Sequence, residues 1–166
     1  MVLQVKEKCW SLKRNNMTKL SRFNVRVYGI LVDQGRILIS HERYKEKQFT
    51  KFPGGGLQLG ESVLECIVRE FKEEMNITVQ PSYLFHVTES LQISGFYPED
   101  QVIALYYIVL SDEIEKIKTS TDKDSIPEKG EIVEWVDLKD FDKGILSFES
   151  DREAASKLLD KKPLQL

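Results

Sequence analysis

The chain has 166 residues, enough for one domain whose core folds without help. With 41% hydrophobic and 31% charged residues it is globular rather than disordered, and no apolar run approaches the length of a membrane span. A net charge of −3 supplies no broad basic field, which argues against long nucleic acid as a partner but not against a small anion met through a bound divalent cation.

No apolar stretch of signal-peptide type opens the chain, so the expected compartment is the cytoplasm. Cys9 and Cys66 are too few for a disulfide framework, and Cys66 falls in a helix-period segment, where a reduced, packed thiol is expected. His41 and His86 have no Cys or His partner at zinc-finger spacing. Residues 1–20 are polar with five Lys or Arg and read as a tail or an extra edge element, with Met17 as an alternative start. Residues 21–166 read as a single domain.

Phe23–Val32 is β-branched and aromatic and predicts a strand. Asp33-Gln34-Gly35 is turn-like, and Arg36–Ser40 completes a predicted hairpin. Residues 41–51 are charged and read as loop, and Pro53 with Gly54, Gly55 and Gly56 breaks the pattern. A helix is predicted from Ser62, which has capping-box spacing to Glu65; Leu64, Ile67, Val68, Phe71 and Met75 form its apolar stripe. Asn76 suits the left-handed position after its last turn. Further strands are expected at Leu84–Ile93, Val102–Leu110 and Ile132–Val136, with a loop at 94–100 and a charged surface connection at 111–131. A last helix, capped through Ser150 and Glu153, is expected to run to about Lys162. This order predicts one α/β or α+β domain with a mixed sheet.

The polar face of the first helix is costly. Glu70, Glu73 and Glu74 stand at i, i+3 and i+4, where like charges each cost about 0.2–0.5 kcal/mol, and they lie near the negative end of the macrodipole. Many charged helix faces are simply solvated. Here a run of three glycines lies just upstream, and Arg69 precedes the glutamates with Glu65 and Glu73 one turn to either side. Clustered carboxylates suit a hard divalent cation such as magnesium, which shares its shell with water and phosphate.

The segment Gly55-x5-Glu61-x7-Arg69-Glu70-Phe71-x-Glu73-Glu74-x-Asn76-Ile77 resembles the Nudix box of the Nudix (MutT-like) hydrolases. Six fixed identities at these spacings coincide by chance about once in 10⁷ start positions. Asn76 replaces the family's late glycine, and Phe71 fills a position that is usually aliphatic. The Phe52-Pro53-Gly54-Gly55 and Glu134-Trp135-Val136 segments extend the resemblance over roughly residues 22–145.

The resemblance implies an α/β/α sandwich and hydrolysis of a nucleoside diphosphate linked to another group, by water attack on phosphorus with Mg2+ or Mn2+. It implies Glu70, Glu73, Glu74 and the Gly54 carbonyl as metal ligands. It gives Arg69 as the residue that orients the carboxylates, and Glu61 and Gly55 as loop supports. Glu73 or Glu99 (or Asp100) would be the general base. Arg43, Lys51 and Phe52 flank the glycine loop and are expected to contact substrate, and Tyr83, Phe85, Tyr97, Tyr106 and Tyr107 include candidates for stacking a base. Family members are often homodimers, so a homodimer is implied as well. Two alternatives share the fold: a nucleotide or phosphosugar sensor without turnover, which has no need of all three glutamates, and an isoprenoid diphosphate isomerase, for which no Cys–Glu pair is identifiable.

Overall fold

The computed structural model describes residues 19–160 apart from Lys129. Residues 1–18 of the expected tail, including Met17 and Cys9, lie outside the described residues, as does the stretch beyond Asp160 into which the last helix is expected to run.

β1 (Arg22–Asp33) and β2 (Arg36–Tyr44) form the expected hairpin; Gln34 and Gly35 take φ of 47° and 76° in its two-residue turn. Residues 41–51 are not a loop. β2 continues to Tyr44, and β3 (Lys47–Lys51) folds back on it in a register running from Tyr44↔Lys47 to Ser40↔Lys51. The turn between them is Lys45-Glu46, both at positive φ. That conformation is usually signalled by Asn or Gly, and two charged residues in its place hid the hairpin.

β4 (Gly54–Gly56) lies antiparallel to β1 and leads into α1 (Val63–Met75). The capping box is present: Ser62 Oγ accepts from the Glu65 amide, and the Ser62 amide donates to Glu65 Oε2 at 2.7 Å. Asn76 closes the helix in the left-handed conformation (φ 55°, ψ 32°), its amide donating to the Lys72 carbonyl. The strand expected at 84–93 is two: β5 (Gln80–Val87) and the short β6 (Gln92–Ile93). β7 (Asp100–Leu110) follows, then 3₁₀ turns at 114–116 and 123–125, β8 (Glu131–Asp137) and α2 (Glu149–Asp160). Ser150 does not cap α2. It is buried inside the first turn, where the Phe148 carbonyl accepts from the Arg152 amide, and Glu153 accepts from Ser90 instead.

The strands form one mixed sheet in the order β3-β2-β1-β7-β5, with β8 against β2. β1 and β7 are parallel over Arg22↔Asp100 to Leu31↔Val109, and the other pairings are antiparallel. Alternation along β1 assigns the two faces. Tyr28 and Ile30 join Ile37, Ile39 and Tyr106 beneath Ala154, Ala155 and Leu158 of α2. Val27 and Leu31 join Leu38, Val109 and Val133 beneath Cys66, Ile67 and Phe71 of α1. Both faces are covered, so β1 reads as an almost continuous apolar run, and the result is the α/β/α sandwich.

Phe71 is fully buried and anchors α1 to the sheet. Phe71→Ala is expected to cost roughly 3–5 kcal/mol in denaturant unfolding; a loss below about 1 kcal/mol would mean that α1 does not depend on this contact.

Candidate active site

The Gly-rich turn exists because two backbones need the space. Gly54 has φ of 130°, and a Cβ there would strike the Val27 carbonyl of β1. A Cβ on Gly55 would collide with the carboxylate of Glu70, which lies directly against that peptide. The turn and the acidic helix face are therefore one packed unit.

Arg69 binds that unit together. Its Nε and Nη2 donate to the two oxygens of Glu61 at 2.9 and 2.7 Å, and Nη2 also reaches the Gly56 carbonyl. Its Nη1 donates to Glu70 at 2.8 Å and Glu73 at 3.2 Å. Glu61 also accepts from the Gln58 amide, fixing the loop before α1. The fork on Arg69 holds the Glu61 carboxyl down to about 2. Of the two neighbours that sequence spacing offers Arg69, Glu73 pairs with it, while Glu65 is committed to the helix cap. Cys66, beneath the guanidinium, is free and buried, and burial pushes its thiol up to about 12.

Glu70 is buried beside Gly55, Glu73 is exposed, and Glu74 turns toward the sheet. There it meets two carboxylates that sequence reasoning missed. One oxygen each of Glu42 on β2, Glu74 on α1 and Glu131 on β8 lie within 4.8 Å of one another. Glu42 and Glu131 are direct cross-strand partners, a position where like charges destabilise a sheet. Ser40 Oγ donates to Glu131 Oε2. Among the described residues, no donor reaches Glu131 Oε1 or Glu74 Oε2, both buried, and the two carboxyl groups face each other. Burial, only partly offset by Lys51, pushes Glu74 up to about 9, and burial raises Glu131 as well. An all-oxygen donor set with orphaned buried oxygens fits a hard divalent cation.

Lys51 enters this cluster from β3. It is fully buried, with Nζ 2.7 Å from the Gly54 carbonyl oxygen and 2.8 Å from Glu42. Burial opposes its charge, but the facing Glu131, Glu74 and Glu42 outweigh that and raise its pKa. Lys51, expected from the sequence to contact substrate, has its head group against protein oxygens at the floor of the neighbouring cavity. Phe52, expected to contact substrate, has a fully buried ring that meets Tyr106 edge-on at 5.9 Å.

Glu42 and Lys51 also line a cavity of about 550 Å³, together with Arg26 and Arg43. Its aromatic wall is Tyr44, Phe49, Phe96, Tyr97 and Phe148, with Phe96 centred 5.1 Å from Tyr44 and 5.2 Å from Phe49. Of the five aromatic residues singled out in the sequence, Tyr97 lines this cavity, whereas Tyr106 is core. Glu99 is not among the lining residues; it pairs with Arg22 at 3.5 Å. Asp100 is buried and accepts from Arg22 and Asn24. His41 is also structural, held between Thr50 and Glu134 at 2.9 Å each.

A three-layer sandwich thus sets a braced acidic helix beside a cationic and aromatic cleft. The NUDIX domain family matches residues 20–159, and the chain belongs to that family, the Nudix hydrolases. The fold is similar to that of a MutT Nudix hydrolase from Burkholderia pseudomallei (21% identity, 83% of this chain and 99% of that one, TM-score 0.62). It is similar also to a MutT protein from Methanosarcina mazei Go1 (19%, 87% and 100%, 0.62) and to an ADP-ribose pyrophosphatase from Streptococcus suis (15%, 86% and 94%, 0.54).

The Arg69 fork has a pH signature. With its folded pKa depressed to about 2 from 4.5, Glu61 contributes stability that is fully present above pH 4.5 and is lost as the pH falls through about 2. A carboxyl-carbon NMR titration should find Glu61 still ionised at pH 3; a midpoint near 4.5 would contradict the brace.

Proposed function

We propose that the chain hydrolyses the pyrophosphate bond of a nucleoside diphosphate derivative with Mg2+ or Mn2+. The observation that carries the reading is the pair of buried, unpartnered oxygens on Glu74 and Glu131 beside Glu42, at the edge of the cationic and aromatic cavity. Glu42, Glu74 and Glu131 would hold a divalent ion, with Glu70 and Glu73 next to them on α1. When bound, the ion supplies charge neutralisation to the phosphoryl oxygens and lowers the pKa of water. Arg69 and Glu61 keep the carboxylates aimed, and Gly55 lets Glu70 lie flat against the loop. Arg26 and Arg43 offer planar donor forks to phosphate, and the wall formed by Tyr44, Phe49, Phe96 and Phe148 offers ring faces to a base or other flat group.

Glu73 is the strongest candidate for the base. It is exposed, so it reaches water, and its Arg69 contact fixes its direction. The family match beginning at residue 20 supports a single catalytic unit from residue 21. A cytoplasmic setting and a homodimer, carried over from the sequence and the family resemblance, complete the proposal.

A panel of nucleoside diphosphate derivatives, with products identified by mass, tests this. Turnover should require Mg2+ or Mn2+ and release a nucleoside monophosphate. Glu73→Gln should lower kcat by about 10²–10⁴-fold with the fold intact. Normal activity in that variant would remove Glu73 from the mechanism, and no turnover across the panel with either metal would favour a sensor.

A further inference from the structure

Lys51 occupies an unusual place for a lysine beside a phosphate cleft. Its side chain is 0% exposed. Nζ lies 2.7 Å from the Gly54 carbonyl oxygen, 2.8 Å from Glu42 Oε1 and 3.6 Å from Glu131 Oε2. One ammonium proton goes to the Gly54 carbonyl, and the carboxylates of Glu42 and Glu131 face the same charge as ion-pair partners. One carbonyl and two carboxylates are also what a hard divalent ion would choose. The geometry follows from the strands: β3 places Lys51 opposite Ser40, two residues from Glu42, and the φ of 130° at Gly54 belongs to the turn that brings its carbonyl to the ammonium.

Lys51 does not exhaust the cluster. The Glu131 side chain is 3% exposed, yet among the described residues no donor reaches its Oε1 or Glu74 Oε2. The carboxylates therefore have two sides, one closed by the ammonium and one still lacking a counter-charge.

We propose that Lys51 is a resident cation of the metal centre, holding the Gly54 carbonyl and one side of the Glu42–Glu131 pair in place of a divalent ion. The divalent ion is left to the orphaned oxygens of Glu74 and Glu131, and the Gly54 carbonyl is not one of its ligands. The inference rests on the metal-dependent reading above and sharpens it. Lys51 is then a positioning residue, acting through Gly54 and the carboxylates. A lysine in this place makes the turn and the Glu42–Glu131 pair independent of metal supply.

Mn2+ titration of the full chain followed by electron paramagnetic resonance tests this. Lys51→Met keeps the length of the stem and removes the charge, and should bind one more Mn2+ per chain than the wild type. An equal or smaller number would overturn the proposal. Because the variant exposes its carboxylates to uncompensated burial, wild-type crystals soaked in Mn2+ provide a second reading. Anomalous density beside Glu74 and Glu131, with Lys51 still hydrogen-bonded to the Gly54 carbonyl, is expected. Manganese on the Gly54 carbonyl with the lysine displaced would overturn the inference and leave the metal-dependent reading standing. A wild type that binds no Mn2+ in either experiment would contradict both.

Discussion

Repulsion among Glu42, Glu74 and Glu131 is the constraint around which the site is arranged. Two unit charges at the 4.8 Å limit repel by about 3–4 kcal/mol at an effective dielectric of 20. The three come from a strand, a helix and another strand, so no local rearrangement of one element separates them. Counter-charge must be brought to them. Lys51 brings part of it from within the sheet, and burial raises the Glu74 carboxyl, favouring its protonated form. A divalent ion would replace that proton.

The neighbouring structure holds the helix in position against this repulsion. Phe71 and Ile67 fasten α1 to one face of the sheet, and the capping box and Asn76 fix its ends. Arg69 ties three acidic side chains and the Gly56 carbonyl into one body. On the other side, the Lys45-Glu46 hairpin carries Glu42 and Lys51 inward and Tyr44 and Phe49 toward the cavity. The same hairpin thus furnishes a carboxylate, its internal counter-ion and part of the aromatic wall.

Most of α1 was legible in the sequence because its information is local: capping residues, apolar stripe and glutamate spacing all fall within fifteen residues. Glu42 and Glu131 were invisible for the opposite reason. Their meeting depends on the β2–β8 register, a pairing across some ninety residues that no local pattern encodes. The hairpin holding Glu42 and Lys51 was masked by a turn of two charged residues at positive φ. Lys51 looked like a surface phosphate contact because sequence shows the charge but not the 0% exposure. Phe96 and Phe148 come from loops whose ends are brought together only by the completed sheet.

If the carboxylate cluster is the seat of a divalent ion, binding must stabilise the folded chain by mass action, by about 2.7 kcal/mol at a hundred times Kd. The most direct measurement is the melting temperature as a function of Mg2+ for the wild type and for Glu131→Gln. The wild type should rise steadily above its value in chelator, while the variant, having lost one of the orphaned oxygens as a charged ligand, should rise far less. A wild type indifferent to Mg2+, or an equal rise in both proteins, would contradict the assignment.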